Sequence, residues 1–459
     1  MENFWDYSVW STLNVIAVLL LSLLAGNMLK RRVPGFKESL IPTSVLGGGI
    51  LIIVAGIYKF ITGNVMFDTP FFGGNGTANL ELLTYHTLAL GFIASTFRPA
   101  KGKLTHQRTT EIFNTGVTTV ATYLLQGILG MAISMIAAWL LKDFFAAAGL
   151  LLPFGFGQGT GQAMNYGTIY ENDFGFVGGK SFGLTIAALG FLSASIGGVI
   201  HLNLLKRRGV IAARAAAEGA ILSEQIQGED EIPMQESMDK LTVQMALIAV
   251  AYLLAYLMMF ALGKLLPGMK SVIFGFNFLL GVLSGTLVKA VLNLLRKYNL
   301  IHREYTNFFL MTRVSNFFFD LMVVAGIAAI RLDILENYWG IILIMGVVGL
   351  VSTYIYNYYI AKTLFPAYQE EQFLTMYGML TGTASTGVIL LREIDGEFKT
   401  PASDNMVYQN FPAIVFGFPL MLLATMAPKQ PGLTMAILIG FFIVMNVILF
   451  RSRIFKKKK

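Results

Sequence analysis

The chain reads Phe154-Gly-Phe-Gly-Gln-Gly-Thr-Gly-Gln-Ala-Met-Asn165 at a point where a long apolar sequence is interrupted. A second tract, Gly378-Met-Leu-Thr-Gly-Thr-Ala-Ser-Thr-Gly387, occupies a corresponding place later in the chain. Within hydrocarbon, broken backbone is tolerated only where protein or a wet cavity satisfies its polar groups. Paired broken segments in two halves of a membrane protein indicate a transporter site. The alternative is that the glycines only permit close helix packing.

The composition is that of a polytopic membrane protein. Of 459 residues, 55% are hydrophobic and 13% are charged, and the mean hydropathy is +0.65, whereas soluble domains carry about 25% charged residues. The chain has no cysteine, which excludes disulfides, thiol catalysis and cysteine-ligated metals. The net charge of +8 does not indicate a nucleic-acid partner. The basic residues lie in short loops and at the C-terminus, where topology signals belong.

About 11 apolar stretches reach the roughly 20 residues that a transmembrane helix needs. They are predicted at Val9–Leu29, Leu40–Ile61, Leu82–Phe97, Phe113–Leu141, Phe182–Leu205, Leu241–Leu266, Val272–Leu295, Phe308–Ile330, Ile341–Leu364, Met406–Met426 and Thr434–Phe450.

The two interrupted segments are too short to cross. The apolar arm from Phe145 to Phe154 is roughly 15 Å long as a helix, about half of a roughly 30 Å hydrocarbon core. The arm from Phe373 to Leu380 is similarly short. These lengths predict two re-entrant hairpins, near residues 145–171 and 373–395.

Basic residues cluster at alternate ends of the predicted spans. If the N-terminus lies outside, the C-terminus lies in the cytoplasm and every cluster faces the cytoplasm, as the positive-inside rule requires. The clusters are Lys30–Lys37, Arg98–Arg108, Lys206–Arg214, Lys289–Arg303 and Arg451–Lys459. This agreement holds only if both interrupted segments are re-entrant.

Each half crosses the membrane five times, so the second half begins on the opposite side of the membrane and repeats the same arrangement with inverted topology. The first hairpin then enters from outside and the second from the cytoplasm, with their tips near the midplane, as alternating access requires. The fold class predicted is an all-α membrane protein with inverted-topology repeats. Its parts are a first repeat at 1–208, a cytoplasmic linker at 209–240, a second repeat at 241–428, and an additional transmembrane helix with a basic tail at 429–459.

The chain resembles the bacterial sodium/glutamate symporters from its first span to about Met426. The best local matches are Ile41-Pro-Thr-Ser-Val-Leu-Gly-Gly48 and Gly157-Gln-Gly-Thr-Gly-Gln-Ala163. The family's Gly-Thr-Gly falls on Gly159, Thr160 and Gly161. Gln158 stands where the family has His, and the second tract does not keep the family's residue sequence. The resemblance implies a sodium-coupled glutamate importer, a homodimer in the bacterial cytoplasmic membrane.

The helix arm that follows each tract begins with N–H groups that lack intrahelical partners, and this positive dipole end suits a carboxylate. Freed carbonyls and hydroxyls suit Na⁺, a hard cation, and we expect no further cofactor. The predicted substrate-binding residues are Gln158, Gly159, Thr160, Gly161, Gln162, Asn165, Thr381, Gly382, Thr383, Ser385, Thr386 and Arg392. The predicted ion-binding residues are Thr160, Thr383 and Asp320.

Each of these assignments has a structural alternative. The hydroxyls at the tips can instead bond to their own backbone. Arg392 is either a substrate ligand or a cytoplasmic anchor. Arg313 and Asp320 share one helix face, as a functional intramembrane pair or a structural one. His86 and His201 are isolated histidines near span ends.

The leading function is sodium-coupled import of L-glutamate or a related small carboxylate. The alternatives are a sodium- or proton-coupled carrier of another organic anion, and a passive channel. Two non-identical inverted tips in one chain favour a carrier, because channel filters usually repeat around an oligomer axis. We do not expect an enzyme, because His-Glu-x-x-His and Gly-x-Ser-x-Gly motifs are absent.

Overall fold

The computed structural model describes residues 3–38, 41–97, 105–141, 144–209, 231–234, 237–267, 270–275, 277–335, 338–395 and 399–454. Within these ranges the regular secondary structure is helical, apart from an isolated β-bridge between Glu231 and Glu304. Most of the predicted linker, residues 210–230 and 235–236, lies outside them. So do 98–104 and 455–459, which belong to the predicted basic clusters.

The first half of the chain contains seven α-helices in the described ranges. They are α1 (Tyr7–Arg32), α2 (Pro34–Glu38), α3 (Thr43–Thr62), α4 (Gly76–Thr96), α5 (His106–Leu140), α6 (Leu151–Phe174) and α7 (Gly179–Arg207). Short 3-10 helices lie at Met66–Asp68, Pro70–Phe72 and Ala146–Leu150.

The second half continues with helices of more uneven length. They are α8 (Lys240–Leu265), α9 (Lys270–Gly275), α10 (Asn277–Lys297), α11 (Phe308–Ala328), α12 (Trp339–Leu364), α13 (Gln369–Thr381), α14 (Ala384–Arg392), α15 (Ala402–Tyr408), α16 (Asn410–Met426), α17 (Pro431–Leu449) and α18 (Arg451–Ile454). Two further 3-10 helices lie at Leu332–Leu335 and Pro366–Tyr368.

Nine helices in the described ranges are long and apolar enough to cross a membrane, which indicates a multi-pass membrane protein. These nine match nine of the predicted spans. The other two differ: α4 spans Gly76–Thr96 but is not among the nine, and the apolar helix Pro412–Met426 is shorter than they are. The predicted span Met406–Met426 is interrupted, because α15 ends at Tyr408 and α16 starts at Asn410.

The first glycine-rich tract reverses the direction of the chain. Gly159 has φ 78° and ψ −171°, inside the element assigned as α6, a conformation that is essentially restricted to glycine. The two arms lie side by side, because the Phe154 ring stacks on the Tyr166 ring at 4.0 Å between centroids. In a continuous helix these residues would be about 18 Å apart along the axis. We call the pair of arms hairpin one.

The second tract also forms two antiparallel arms, α13 and α14, which we call hairpin two. The helix breaks at Gly382 and Thr383. A Cβ atom placed on Gly378 would lie 2.8 Å from the Cα of Gly387, and one on Gly387 would lie 2.6 Å from the carbonyl oxygen of Thr375. Only glycine allows the arms to approach this closely.

The chain divides into two compact units, and each draws on both halves of the sequence. The first comprises Met1–Glu81, Leu104–Ala217 and Val323–Lys459, and the second comprises Leu82–Lys103 and Glu218–Met322. Both hairpins belong to the first unit. The core of the second includes Ile93, Phe97, Ile248 and Met311.

The helix near the C-terminus, α17, is joined to two other helices of the first unit. Tyr356 on α12 donates a hydrogen bond of 3.0 Å to Asn446 on α17. Just beyond α17, Arg451 donates to Asn114 on α5 at 2.9 Å. The C-terminal segment formed by α17 and α18 is therefore bonded to both α5 and α12.

Candidate functional site

The two hairpins meet at Gly190, in the middle of α7. A Cβ atom at this position would lie 2.4 Å from the carbonyl oxygen of Thr381 and 3.2 Å from the Cα of Phe156. Thr381 ends the first arm of hairpin two, and Phe156 lies in the first arm of hairpin one. One glycine therefore lies against both hairpins.

The tip of hairpin one is lined with buried polar side chains. Thr160, Gln162 and Asn165 are all buried. Asn165 donates a hydrogen bond of 3.0 Å to the side-chain oxygen of Gln162. The Nε2 group of Gln162 has no partner among the described residues. A buried donor without a partner is costly, so this amide is a candidate for contact with a ligand.

The glycines of this tip allow close packing as well as a turn. The hydroxyl of Tyr123 on α5 donates to the carbonyl of Gly157 at 3.0 Å. On α11, a Cβ atom at Gly326 would lie 2.7 Å from the Cβ of Thr160. Gly159 and Gly161 are buried and Gln158 is half-buried. These contacts are the ones that the packing alternative expects, and the functional reading of the glycines stays a prediction.

The tip of hairpin two has an N-terminus without a side-chain cap. Thr383 is the N-cap of α14, and its hydroxyl bonds to no helix N–H there. It lies 3.4 Å from the hydroxyl of Thr386. Thr381 instead donates to the carbonyl of Tyr377 at 2.6 Å. Its hydroxyl therefore bonds to its own backbone, as in the structural alternative. Gly382 is buried, and the Ser385 side chain lies outside the described part of the structure.

Sequence reasoning missed Gln126, which contacts the tip of hairpin two. This α5 side chain is 0% exposed, and its Nε2 donates to Thr353 Oγ1 and to the carbonyl of Leu380, both at 2.9 Å. Its Oε1 has no partner among the described residues. The available signal was an amide inside the apolar span Phe113–Leu141, because polar groups within spans are functional candidates.

Gln126 ends a polar face that runs along α5. Arg108, Glu111, Thr115, Thr122 and Gln126 recur at helical spacing, so they share one side of the helix. Their partners come from α12 and from the chain around hairpin two. These are Asp404 (3.7 Å from Arg108), Tyr368 (2.8 Å from Glu111), Gln372 (3.2 Å from Thr115) and Asn357 (3.5 Å from Thr122).

Further unsatisfied oxygens lie on α15 and at its C-terminal end. Asn405 donates to Tyr368 and to Gln372, each at 3.0 Å. The side-chain oxygens of Asn405 and Gln409 have no partner among the described residues. Because these groups are acceptors, water or a cation would satisfy them, whereas an anion would not.

The predicted charged residues lie away from the tips or in the other unit. Arg392 is exposed at the last position of α14, roughly 12 Å along the axis from Ala384, which fits the anchor alternative. Asp320 and Arg313 are exposed and belong to the second unit. The Arg313 guanidinium lies over the Phe309 ring at 4.9 Å.

The tips form an uncharged polar environment. Among the described residues, the buried side chains of charged residue types are those of Lys240, Asp395 and His201. None of the three belongs to a tip. A carboxylate would bind here through amide and hydroxyl donors and helix N-termini, and a hard cation through hydroxyl, amide and carbonyl oxygens.

Comparison with known proteins adds no assignment. No known family profile matches the chain, and no curated protein matches it.

Proposed function

We propose that this protein is a secondary active transporter that moves a small carboxylate together with a cation by alternating access. L-glutamate and Na⁺ are the substrate and ion that the sequence resemblance implies. The observation that carries the proposal is the meeting of two reversed glycine-rich hairpins at Gly190, with buried polar groups left unsatisfied beside them.

The substrate carboxylate and the cation bind to different groups of the site. The substrate carboxylate accepts hydrogen bonds from the unpartnered Gln162 amide and from the first N–H groups of the second arms, which begin near Thr160 and Ala384. The cation binds oxygens near the tips, among them Gln126 Oε1 and the tip hydroxyls. No charged side chain is needed at either place.

Alternating access follows from the arrangement of the arms. If hairpin one is re-entrant from outside and hairpin two from the cytoplasm, opening one hairpin exposes the tips to one side only. The polar face of α5 then lines the cytoplasmic route, because it runs from Arg108 to the tip of hairpin two. We place this carrier, as a homodimer, in a bacterial cytoplasmic membrane with the N-terminus outside.

Uptake into proteoliposomes tests this proposal. Wild-type protein is expected to accumulate labelled L-glutamate under an inward sodium gradient. Gln126→Leu removes the amide that contacts the tip of hairpin two and is expected to lower uptake at least tenfold. Gln430→Leu, at the exposed N-cap position of α17, is the matched control and is expected to retain uptake.

Each outcome has a defined meaning. Sodium-driven uptake of another carboxylate, again lost in Gln126→Leu, would support the carrier and the site and would replace glutamate as the substrate. Flux that ignores any gradient and does not saturate would indicate a channel. Equal uptake by Gln126→Leu and Gln430→Leu would contradict the site.

A further inference from the structure

His201, isolated in the sequence, is the centre of a three-residue cluster. It lies near the end of α7, and its side chain is 5% exposed. Its Nδ1 is 2.7 Å from the hydroxyl of Tyr354 on α12, and its Nε2 is 2.7 Å from Glu370 Oε2 in the first turn of α13. The cluster therefore joins α7, α12 and the base of hairpin two.

Aromatic rings enclose the imidazole. Its ring centroid is 4.4 Å from that of Phe373, and 5.7 and 5.8 Å from those of Tyr358 and Tyr354. Glu370, at 16% exposure of its side chain, is the more open member. This geometry admits a proton from solution along the carboxylate and keeps bulk water from the ring.

The same heavy-atom positions satisfy both protonation states of His201. In the neutral ring, Nε2–H donates to Glu370 and the Tyr354 hydroxyl donates to Nδ1. In the protonated ring both nitrogens donate, and the Tyr354 hydroxyl becomes the acceptor by rotating its hydrogen. Proton binding thus requires no rearrangement of side chains.

The charges differ between the two states. With a proton, His201 and Glu370 form a neutral buried ion pair, and without it a single carboxylate charge remains. Burial raises the pKa of Glu370, but hydrogen bonds from His201 and Gln369 and the charges of His201 and Arg208 outweigh it and lower the pKa. Glu370 lies in the first turn of α13, outside the predicted spans, and is ionised at neutral pH.

The other charged and titratable groups near the cluster come from α7, α12 and α13 and from the chain after α14. They are Arg208 at the end of α7, Tyr358 on α12, Glu371 and Tyr377 on α13, and Asp395 after α14. Burial raises the pKa of Glu371. From α14, the contact with this region is apolar and made by Leu390.

We infer that His201, Glu370 and Tyr354 form a proton-binding site that holds the base of hairpin two against α7 and α12. Because hairpin two must move during transport, a bound proton slows the transport cycle. The binding site stands on its own geometry, whereas this effect on rate rests on the proposed function.

The first experiment measures proton binding without transport. Apparent unfolding temperatures of detergent-solubilised wild type and His201→Gln are compared between pH 5.5 and 8.5. The ion pair exists only while the ring carries a proton, so its stabilisation is present at low pH and is lost as the pH rises and the ring releases that proton. The wild type is expected to exceed the variant by about 2 °C at low pH, with the gap closing at high pH.

Two further variants and a control accompany this measurement. Glu370→Gln removes the carboxylate and is expected to abolish the same pH-dependent gap. Tyr354→Phe removes the hydroxyl that accepts from the protonated ring and is expected to narrow the gap. His86→Gln is the matched control, because His86 bonds a tyrosine hydroxyl at 2.6 Å, that of Tyr252, in the other unit. A gap that is constant with pH, or one reproduced by His86→Gln, would overturn the proton site whether or not the protein transports anything.

The second experiment follows uptake against pH on the cytoplasmic side of proteoliposomes. Wild-type uptake is expected to fall several-fold from pH 8 to pH 6, and His201→Gln is expected to flatten this profile while His86→Gln retains it. Wild-type uptake that instead rises on acidification, with the rise lost in His201→Gln, would contradict the holding role. If neither the wild type nor any variant shows transport, the proposed function fails. The unfolding experiment then still decides whether the proton site exists.

Discussion

Gly190→Ala is the sharpest test of the packing between the two hairpins. The added Cβ would lie 2.4 Å from the carbonyl oxygen of Thr381, where ordinary contact begins at 3.4 Å. The surroundings must therefore yield by about 1 Å, and the nearest atom is backbone rather than the end of a flexible side chain. Overpacking of this kind costs about 1–3 kcal/mol.

Part of this cost falls on the site itself, because Thr381 ends the arm that leads into the tip of hairpin two. If the displacement is borne by the tip, apparent substrate affinity falls by roughly 5- to 150-fold, which is the equivalent of about 1–3 kcal/mol. The helix gains about 1 kcal/mol from replacing glycine by alanine, so overall stability changes less than binding does.

The assay is the substrate concentration dependence of sodium-driven uptake in proteoliposomes, with unfolding temperature recorded beside it. Gly56→Ala on α3 is the matched control, since a Cβ atom there meets nothing within 4 Å while the gain in helix propensity is the same. Gly190→Ala with the affinity and rate of Gly56→Ala would refute the conclusion that the hairpins meet at this glycine.

Two further predictions concern the hairpins. Phe154→Ala removes the ring stacked on Tyr166 and is expected to cost about 3–5 kcal/mol. Tyr166→Phe keeps the stack, loses only the bond to the Met421 carbonyl and costs about 1–3 kcal/mol; equal unfolding temperatures for the two variants would contradict the stacked arms. Thr383→Cys introduces the only thiol of the chain and is expected to be labelled more slowly when sodium and substrate are bound. Thr363→Cys is the control, and equal slowing at both positions would exclude a ligand at the tip.

The location of the first turn could be predicted from the sequence because its signal is local. A dense run of glycines inside apolar sequence permits few arrangements, and the turn at Gly159 lies within the quoted tract. The second break, at Gly382 and Thr383, follows for the same reason. Nine spans could be predicted from the sequence equally well, because their signal is a continuous apolar stretch of sufficient length.

The partners of the polar side chains could not be predicted in this way. Gln126 bonds the carbonyl of Leu380 across 254 positions, and His201 meets Glu370 across 169. Such contacts depend on how α5, α7 and the hairpins pack, and apolar length says nothing about that. The break between α15 and α16 was also missed, because a span counted by hydropathy does not register a helix interruption.

The central claim is that both hairpins are re-entrant and open to opposite sides, and single-cysteine labelling tests it most directly. The chain has no native cysteine, so exposed positions that flank the hairpins are substituted in turn: Leu141 and Asn172 for hairpin one, Ala367 and Glu393 for hairpin two. An impermeant thiol reagent is applied to intact cells and to inside-out vesicles. Labelling of Leu141→Cys and Asn172→Cys only from outside, and of Ala367→Cys and Glu393→Cys only from the cytoplasmic side, is the predicted result. Labelling of the two ends of either hairpin from different sides would mean that it crosses the membrane, and would contradict the account.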